Sequence, residues 1–269
     1  MTQHLPTRAQ AVRGIGVGVI AAVLLSVTTM VAKADDGDAR KVLKAMTDFM
    51  ARQKTLSATY DTDIEVITPD LQKIQFTASG DVLLDRQAGL RATRTGGYAD
   101  LELVFDGKTM TVHNRHGKAF ARLDVPGSPD EVVHRLRTVH FVELPGADLL
   151  AANAYERLTE EVLDAKHIGR GVVDGVECEH LAFRNPETDW QLWVETGERP
   201  VPRKYVITSK TVAQAPQYTL HIKELRTDVK SGPDAFAFTA PDGVKQVALD
   251  ALGDIDEVPP GIPAGGSKP

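Results

Sequence analysis

From Leu56 to Leu123 the chain is rich in Thr, Val, Ile, Tyr and Phe, broken by turn signals every 8–14 residues. That is the pattern of short strands in a meander. "DTDIEVITPDLQKIQFTASG" predicts a hairpin turning at Pro69-Asp70, and "DLELVFDGKTMTVHN" predicts a second with Asp106-Gly107 in a type I′ turn. In the latter Leu101, Leu103 and Phe105 fall on one side of the strand and Glu102 and Asp106 on the other, so one face is apolar. Strands resume at about Ala165 in "HIGRGVVDGVECEHLAFR", "DWQLWVET", "VPRKYVITSK" and "QYTLHIKELR", with turns at Asp174-Gly175 and Thr196-Gly197. Loops this short force an antiparallel order, because a parallel crossover needs a dozen residues or more.

Two stretches switch to helical spacing. Asp38 is placed to cap a helix in which Val42, Met46, Phe49 and Met50 recur on one side, with Leu43 widening the stripe. Ser128, Pro129 and Glu131 stand at N-cap, N1 and N3 of a second helix. Its stripe is Val132, Val133, Leu136 and Val139, opposed by Asp130, Arg135 and Arg137. "ADLLAANAYERLTEEVLDA" adds a further short helix or two. An apolar-faced helix that interrupts a meander needs a sheet to lie on. The predicted fold is therefore mainly β: a single, strongly curved antiparallel sheet, an unclosed half-barrel, with helices covering its concave face.

Several strands are apolar on both faces. Trp190, Leu192 and Val194 point one way and Trp193 the other; Val176, Cys178 and Ala182 oppose Leu181 and Phe183. An antiparallel sheet usually keeps one wet face. A lined interior and thick local packing of the helices both explain the pattern.

The ends of the chain change the setting. Arg8 and Arg13, an uncharged apolar run from Gly14 to Ala32, and Ala32-Lys33-Ala34 before Asp35 read as an export signal, residues 1–34. The 19-residue run is also close to the roughly 20 that span a bilayer, so an uncleaved anchor is the alternative. No cysteine lies near the cleavage site, and lipid modification there is not expected. The predicted location is the periplasm. Cleavage removes three cations and no acid, leaving 28 basic against 37 acidic residues, net −9. Nucleic acid and anionic membrane surfaces are poor partners for such a chain. The folded domain is read as residues 35–247, and the Pro/Gly-rich stretch 248–269 as a disordered tail.

Candidate chemistry is sparse. Cys178, the only cysteine, and His180 share a strand face roughly 6.5 to 7 Å apart, too far for a direct thiol–imidazole bond. His113, His116, His134 and His140 repeat no metal-ligand spacing and read as scattered surface histidines. Glu177 and Glu179 read as a solvated strand face rather than an acid–base pair. No nucleophile elbow, P-loop or dinucleotide fingerprint occurs, so no catalytic residue, metal or cofactor is assigned.

"GGYADLELVFDGKTMTV", "LPGADLL", "IGRGVVDGVECEHLAFR" and "DWQLWVETGERPVPRKYVIT" closely resemble a bacterial family of predicted periplasmic proteins of unknown function, over about residues 38–240. That family is grouped with the LolA/LolB-like lipoprotein carriers and receptors. The resemblance implies an open curved sheet with an apolar concave side, helices as a lid, and a cavity that receives acyl chains. The arginine that ties down the lid in the carriers is matched to no position here. Strand and helix alternation, with no family motif behind it, offers Leu101, Leu103, Phe105, Trp190 and Leu192 as wall, Val132, Val133 and Leu136 as lid, and Cys178 as a further cavity candidate.

The expected function is a non-enzymatic periplasmic binding protein that carries or senses a lipid, acyl chain or lipoprotein. The first alternative is an envelope interaction module whose own helices fill the concavity, with a protein partner. A hydrolase using dispersed acids and histidines, His180 or Glu177 among them, is the remote one.

Overall fold

A computed structural model describes residues 36–140, 144–253, 255, 258 and 259. The stretch read as an export signal lies outside them. The first helix, α1 (Asp36–Arg52), begins two residues before Asp38, which sits in its first turn instead of capping it and pairs with Lys41 at 3.0 Å. Ala39, Leu43, Met46 and Met50, spaced four, three and four apart, form the fully buried stripe; Val42 and Phe49 flank it. Arg86 closes the C-terminal end, donating from Nε to Gln53 O at 3.0 Å and from Nη2 to Met50 O at 3.2 Å. The Met50 carbonyl also accepts from the Gln53 N–H at 3.2 Å, so a tightened last turn and Arg86 together close this end.

Two meanders follow. The first is β1 (Thr55–Ile67), β2 (Lys73–Asp85), β3 (Gly89–Gly96), β4 (Asp100–Phe105), β5 (Thr109–Asn114) and β6 (Ala119–Asp124). Then come α2 (Pro129–His140), a 3-10 turn at Ala147–Leu150 and α3 (Ala154–Thr159). The second meander is β7 (Asp164–Val173), β8 (Val176–Arg184), β9 (Thr188–Glu195), β10 (Pro202–Ser209) and β11 (Gln217–Thr227), and β12 (Lys245–Gln246) ends the series. Among the described residues they form one unclosed curved sheet in the order β12-β6-β5-β4-β3-β2-β1-β11-β10-β9-β8-β7. Pairing of β1 with β11, from Leu56 opposite Thr227 to Ile64 opposite Tyr218, joins the two meanders.

The start of α2 is the capping box read from the sequence: the Ser128 N–H donates to Glu131 Oε2 at 2.6 Å, and the Glu131 N–H to Ser128 Oγ at 3.4 Å. The Asp174-Gly175 turn has positive φ at both residues, 49° and 81°, as type I′ demands. The β4–β5 turn departs from the expectation. Only Gly107 has positive φ, and Asp106 Oδ1 accepts from the N–H of Lys108 and Thr109, so a side-chain cap replaces the type I′ geometry.

One pairing is not antiparallel. Lys245 and Gln246 run parallel to Ala119 and Phe120 of β6. The crossover this requires is the segment after β11, which passes over the sheet face turned away from the helices. Arg91 holds it there by donating to Ala235 O at 2.8 Å and Ala237 O at 2.6 Å. The chain then turns around the β6 edge, and Leu252, in the stretch read as a tail, is buried. At the other edge β7 carries a bulge between His167 and Gly169, together with exposed Lys166 and Arg170. Bulges and charges of this kind discourage edge-to-edge pairing.

Gly80 lies where β1, β2 and β3 are most closely packed. A Cβ there would stand 2.1 Å from Thr93 O and 2.6 Å from the Tyr60 ring, and the Tyr60 hydroxyl itself donates to Thr93 O at 2.7 Å. Gly80→Ala is expected to lower stability by about 1–3 kcal/mol through overpacking. Urea unfolding measures this, and an unchanged midpoint would refute it.

Candidate functional site

Register decides which side chains meet inside the concavity. Ala58 of β1 stands opposite Val82 and Leu225, Val82 opposite Ala92, Ala92 opposite Leu103, and Leu103 opposite Val112. These six residues form a transverse apolar row across β11 and β1–β5, and all six line a cavity of about 250 Å³. A neighbouring row, towards the end of α1, contributes Leu84 and Leu90, and Met50 of α1 closes that end. In the opposite direction the next residues along the strands are Tyr60, Arg94 and Leu101, then Thr62 and Leu220. Two of the side chains facing this end are therefore phenol and guanidinium instead of hydrocarbon.

The roof is α2 with the turn that follows it. Val132 and Leu136 are buried beneath α2 and Val133 is half-buried, and all three line the cavity. Val139, the last member of the predicted stripe, is 54% exposed and takes no part. Ion pairing holds the roof together: Arg137 Nη1 lies 2.5 Å from Asp148 Oδ1, Arg137 Nη2 donates to Leu144 O at 2.7 Å, and Arg157 Nη1 lies 3.6 Å from Asp148. Leu249 and Ile255, beyond β12, complete the wall, and Arg94 Nη2 donates to Ile255 O at 2.6 Å. Hydrophobic patterning offers no hint of these two residues, because they lie in the stretch with the composition of a tail.

Of the wall and lid candidates, Leu101, Leu103, Val132, Val133 and Leu136 come together around this cavity. Phe105, Trp190, Leu192 and Cys178 do not line it. Phe105 is fully buried between Leu90 and Met110 on the neighbouring strands. Trp190 and Leu192 belong to the solid half of the core, where α1 packs over β7–β9; Trp190 stacks on Phe183 at 3.9 Å and meets Tyr205 edge-on at 5.8 Å. Burial pushes the Tyr205 hydroxyl far up from its ordinary pKa.

Cys178 and His180 point away from the concavity. The Cys178 thiol donates to Val176 O at 3.5 Å, and burial raises its pKa. Beside it His180 stacks on Trp193 at 4.1 Å, with Nε2 lying 2.9 Å from Gln191 Oε1. Burial lowers the His180 pKa, and the Gln191 bond opposes that only in part. Glu177 pairs with Arg170 at 2.8 Å, whereas Glu179 is half-buried and lies 2.7 Å from His167 Nε2. His113 is not a surface histidine as expected. It is 5% exposed, edge-on to Phe238 at 5.3 Å, under the segment that crosses the outer face. Among the described residues no group of three His, Cys, Asp or Glu side chains is arranged to hold a metal ion, and no helix is long and apolar enough to cross a membrane.

A family model described as "Predicted periplasmic protein (DUF2092)" matches residues 39–250, nearly the span over which the sequence resembles such a family. No curated protein matches the chain. Solved structures similar to it include an uncharacterized conserved protein of Thermus thermophilus, at 11% identity over 78% of this chain and 99% of that one, with a TM-score of 0.46. The lipoprotein LppX of Mycobacterium tuberculosis is similar at 12% identity over 74% of this chain and 100% of that one, with a TM-score of 0.45. LprF of Mycobacterium bovis is similar at 11% identity over 76% and 99%, with a TM-score of 0.45.

The placement of Cys178 has a direct readout. In the native protein a thiol reagent such as Ellman's disulfide is expected to modify it negligibly at neutral pH, and to titrate one thiol after denaturation. Rapid modification of the folded protein would mean that the thiol is accessible and ionised.

Proposed function

The chain belongs to the DUF2092 family of predicted periplasmic proteins, and we propose that in that compartment it is a binding protein that holds an acyl chain or similar amphiphile under α2. The observation that carries this reading is the cavity of about 250 Å³ with its transverse row of Ala58, Val82, Ala92, Leu103, Val112 and Leu225. An apolar hollow with a few polar groups at one end is the usual form of a small-molecule site. Each methylene group buried contributes roughly 0.8 kcal/mol, and water offers an acyl chain no comparable refuge. No reaction is assigned. Cys178, His180 and Glu177 are each engaged by other groups, and none of them lines the cavity.

The interaction-module alternative required a concavity filled by the protein's own helices. Leu43 and Met46 of α1 supply such filling over β7–β9, but the half beneath α2 is hollow, which favours a ligand.

Native mass spectrometry of gently purified protein is expected to show a co-purifying lipid mass. With the delipidated protein, affinity for saturated chains is expected to rise roughly fourfold per added methylene until the cavity is full. Leu103→Trp, which fills the middle of the row, is expected to reduce binding by at least about tenfold while circular dichroism stays unchanged. A clean apo mass combined with no uptake of added fatty acid or phospholipid would remove the reading.

A further inference from the structure

The cavity has one closed end and one half-exposed end. At the closed end Leu84 and Leu90 face each other across β2 and β3, and Met50 of α1 completes the stop; all three are buried. Arg86 fixes Met50 in place by donating to its carbonyl at 3.2 Å. Asp130, near Arg86 at this end, is occupied by the Ala152 N–H, which donates to its Oδ2 at 3.1 Å. At the other end Tyr60, Leu101, Leu144 and Tyr218 are only half-buried. A polar head keeps its water only at that end, so a ligand lies with its tail against Leu84 and Leu90.

Strand geometry sets the depth. Leu101 pairs with Arg94, and from Leu90 to Arg94 along β3 the extended chain advances about 13 Å. A stretched hydrocarbon gains roughly 1.3 Å per carbon from C–C bonds of about 1.5 Å, so this depth holds about ten carbons. The volume gives the same length independently. An apolar cavity of about 150 Å³ accepts benzene, and about 250 Å³ is larger in the proportion that takes six carbons to about ten. No room is left for a second chain.

We propose that the cavity is a chain-length ruler: it takes one medium-length acyl chain, tail first, and Leu84, Leu90 and Met50 set the length. The inference rests on the reading of the cavity as an acyl-chain site and adds which chains fit and which residues select them. Each methylene up to the closed end leaves water, and each one beyond the capacity stays in water at the half-exposed end and adds nothing. A diacyl lipid would have to leave its second chain outside, which removes most of the gain. A fatty acid and a lysolipid both present the single chain that fits.

Isothermal titration of the delipidated protein with saturated carboxylates from hexanoate to hexadecanoate reads the ruler directly. Affinity is expected to rise roughly fourfold per methylene as far as about decanoate and to stay level beyond it. Leu84→Ala deepens the closed end and should move the break to chains about two carbons longer. Ala92→Leu fills the floor above that end and should move the break to shorter chains; it also covers the case in which Leu84→Ala does not fold. If neither variant folds, the wild-type break decides. A rise that continues to tetradecanoate or beyond, or a break that stays put in both folded variants, overturns the inference and leaves the acyl-chain reading standing. So does a diacyl phosphatidylcholine that binds more tightly than its single-chain lyso form. Binding of no chain overturns both. Decanoyl lysophosphatidylcholine tells the sources apart: tighter binding than decanoate assigns a lysolipid, weaker binding a free fatty acid, and either supports the ruler.

Discussion

Among the described residues twelve strands present a wider apolar face than three helices cover, and the rest of the molecule follows from that mismatch. An exposed apolar face of this width is not tolerated in water, so some of the chain must roof it. The first helix, with Leu43 and Met46 fully buried, roofs the side of β7–β9 in direct contact. The second stands over β1–β5 at a distance, with Val132 and Leu136 above small inward residues such as Ala58 and Ala92. The same sheet is therefore solid under one helix and hollow under the other. The choice of small side chains at the bottom of the row makes the hollow.

The reverse face of the sheet is handled differently. There the segment between β11 and β12 lies over β3–β6, and its carbonyls are collected by arginines that reach up from the strands. Arg91 also pairs with Glu102 at 2.7 Å, and Arg115 lies 3.3 Å from the same carboxylate. Glu102 is nearly buried, so its charge is compatible with the fold only because it is paired twice. Arg91 thus fastens a covering segment and neutralises an acid at once, which explains how His113 comes to lie in the interior beside them.

Much of this was legible in the residues. Period-two alternation and the turn signals reveal the two meanders, and helical spacing reveals α1 and α2 with their buried stripes. What alternation cannot supply is the depth of the space above a strand. Leu103 and Leu192 look alike in sequence, both inward and both flanked on one side by a polar neighbour, yet one lines a cavity and the other is sealed by α1. The difference lies in which helix stands overhead, a long-range fact with no local signal. Cys178 failed as a cavity candidate for a simpler reason: strand parity places it opposite to Leu181, which faces the core. The parallel β12 and the wall residues Leu249 and Ile255 were hidden by composition, because a segment held by arginines from elsewhere needs little apolar content of its own.

Pairing of β1 with β11 has a consequence for the order of assembly. Strands β1 to β6 pair with neighbours in sequence and need only local contacts, whereas β11 is separated from β1 by more than half of the domain. Contacts of that separation are slow to close. The first meander must therefore wait, with its inward row uncovered on one flank, until β11, Leu249 and Ile255 arrive. Until then the trough exposes apolar surface and an unpaired strand edge, the features that make a partly folded chain prone to aggregate.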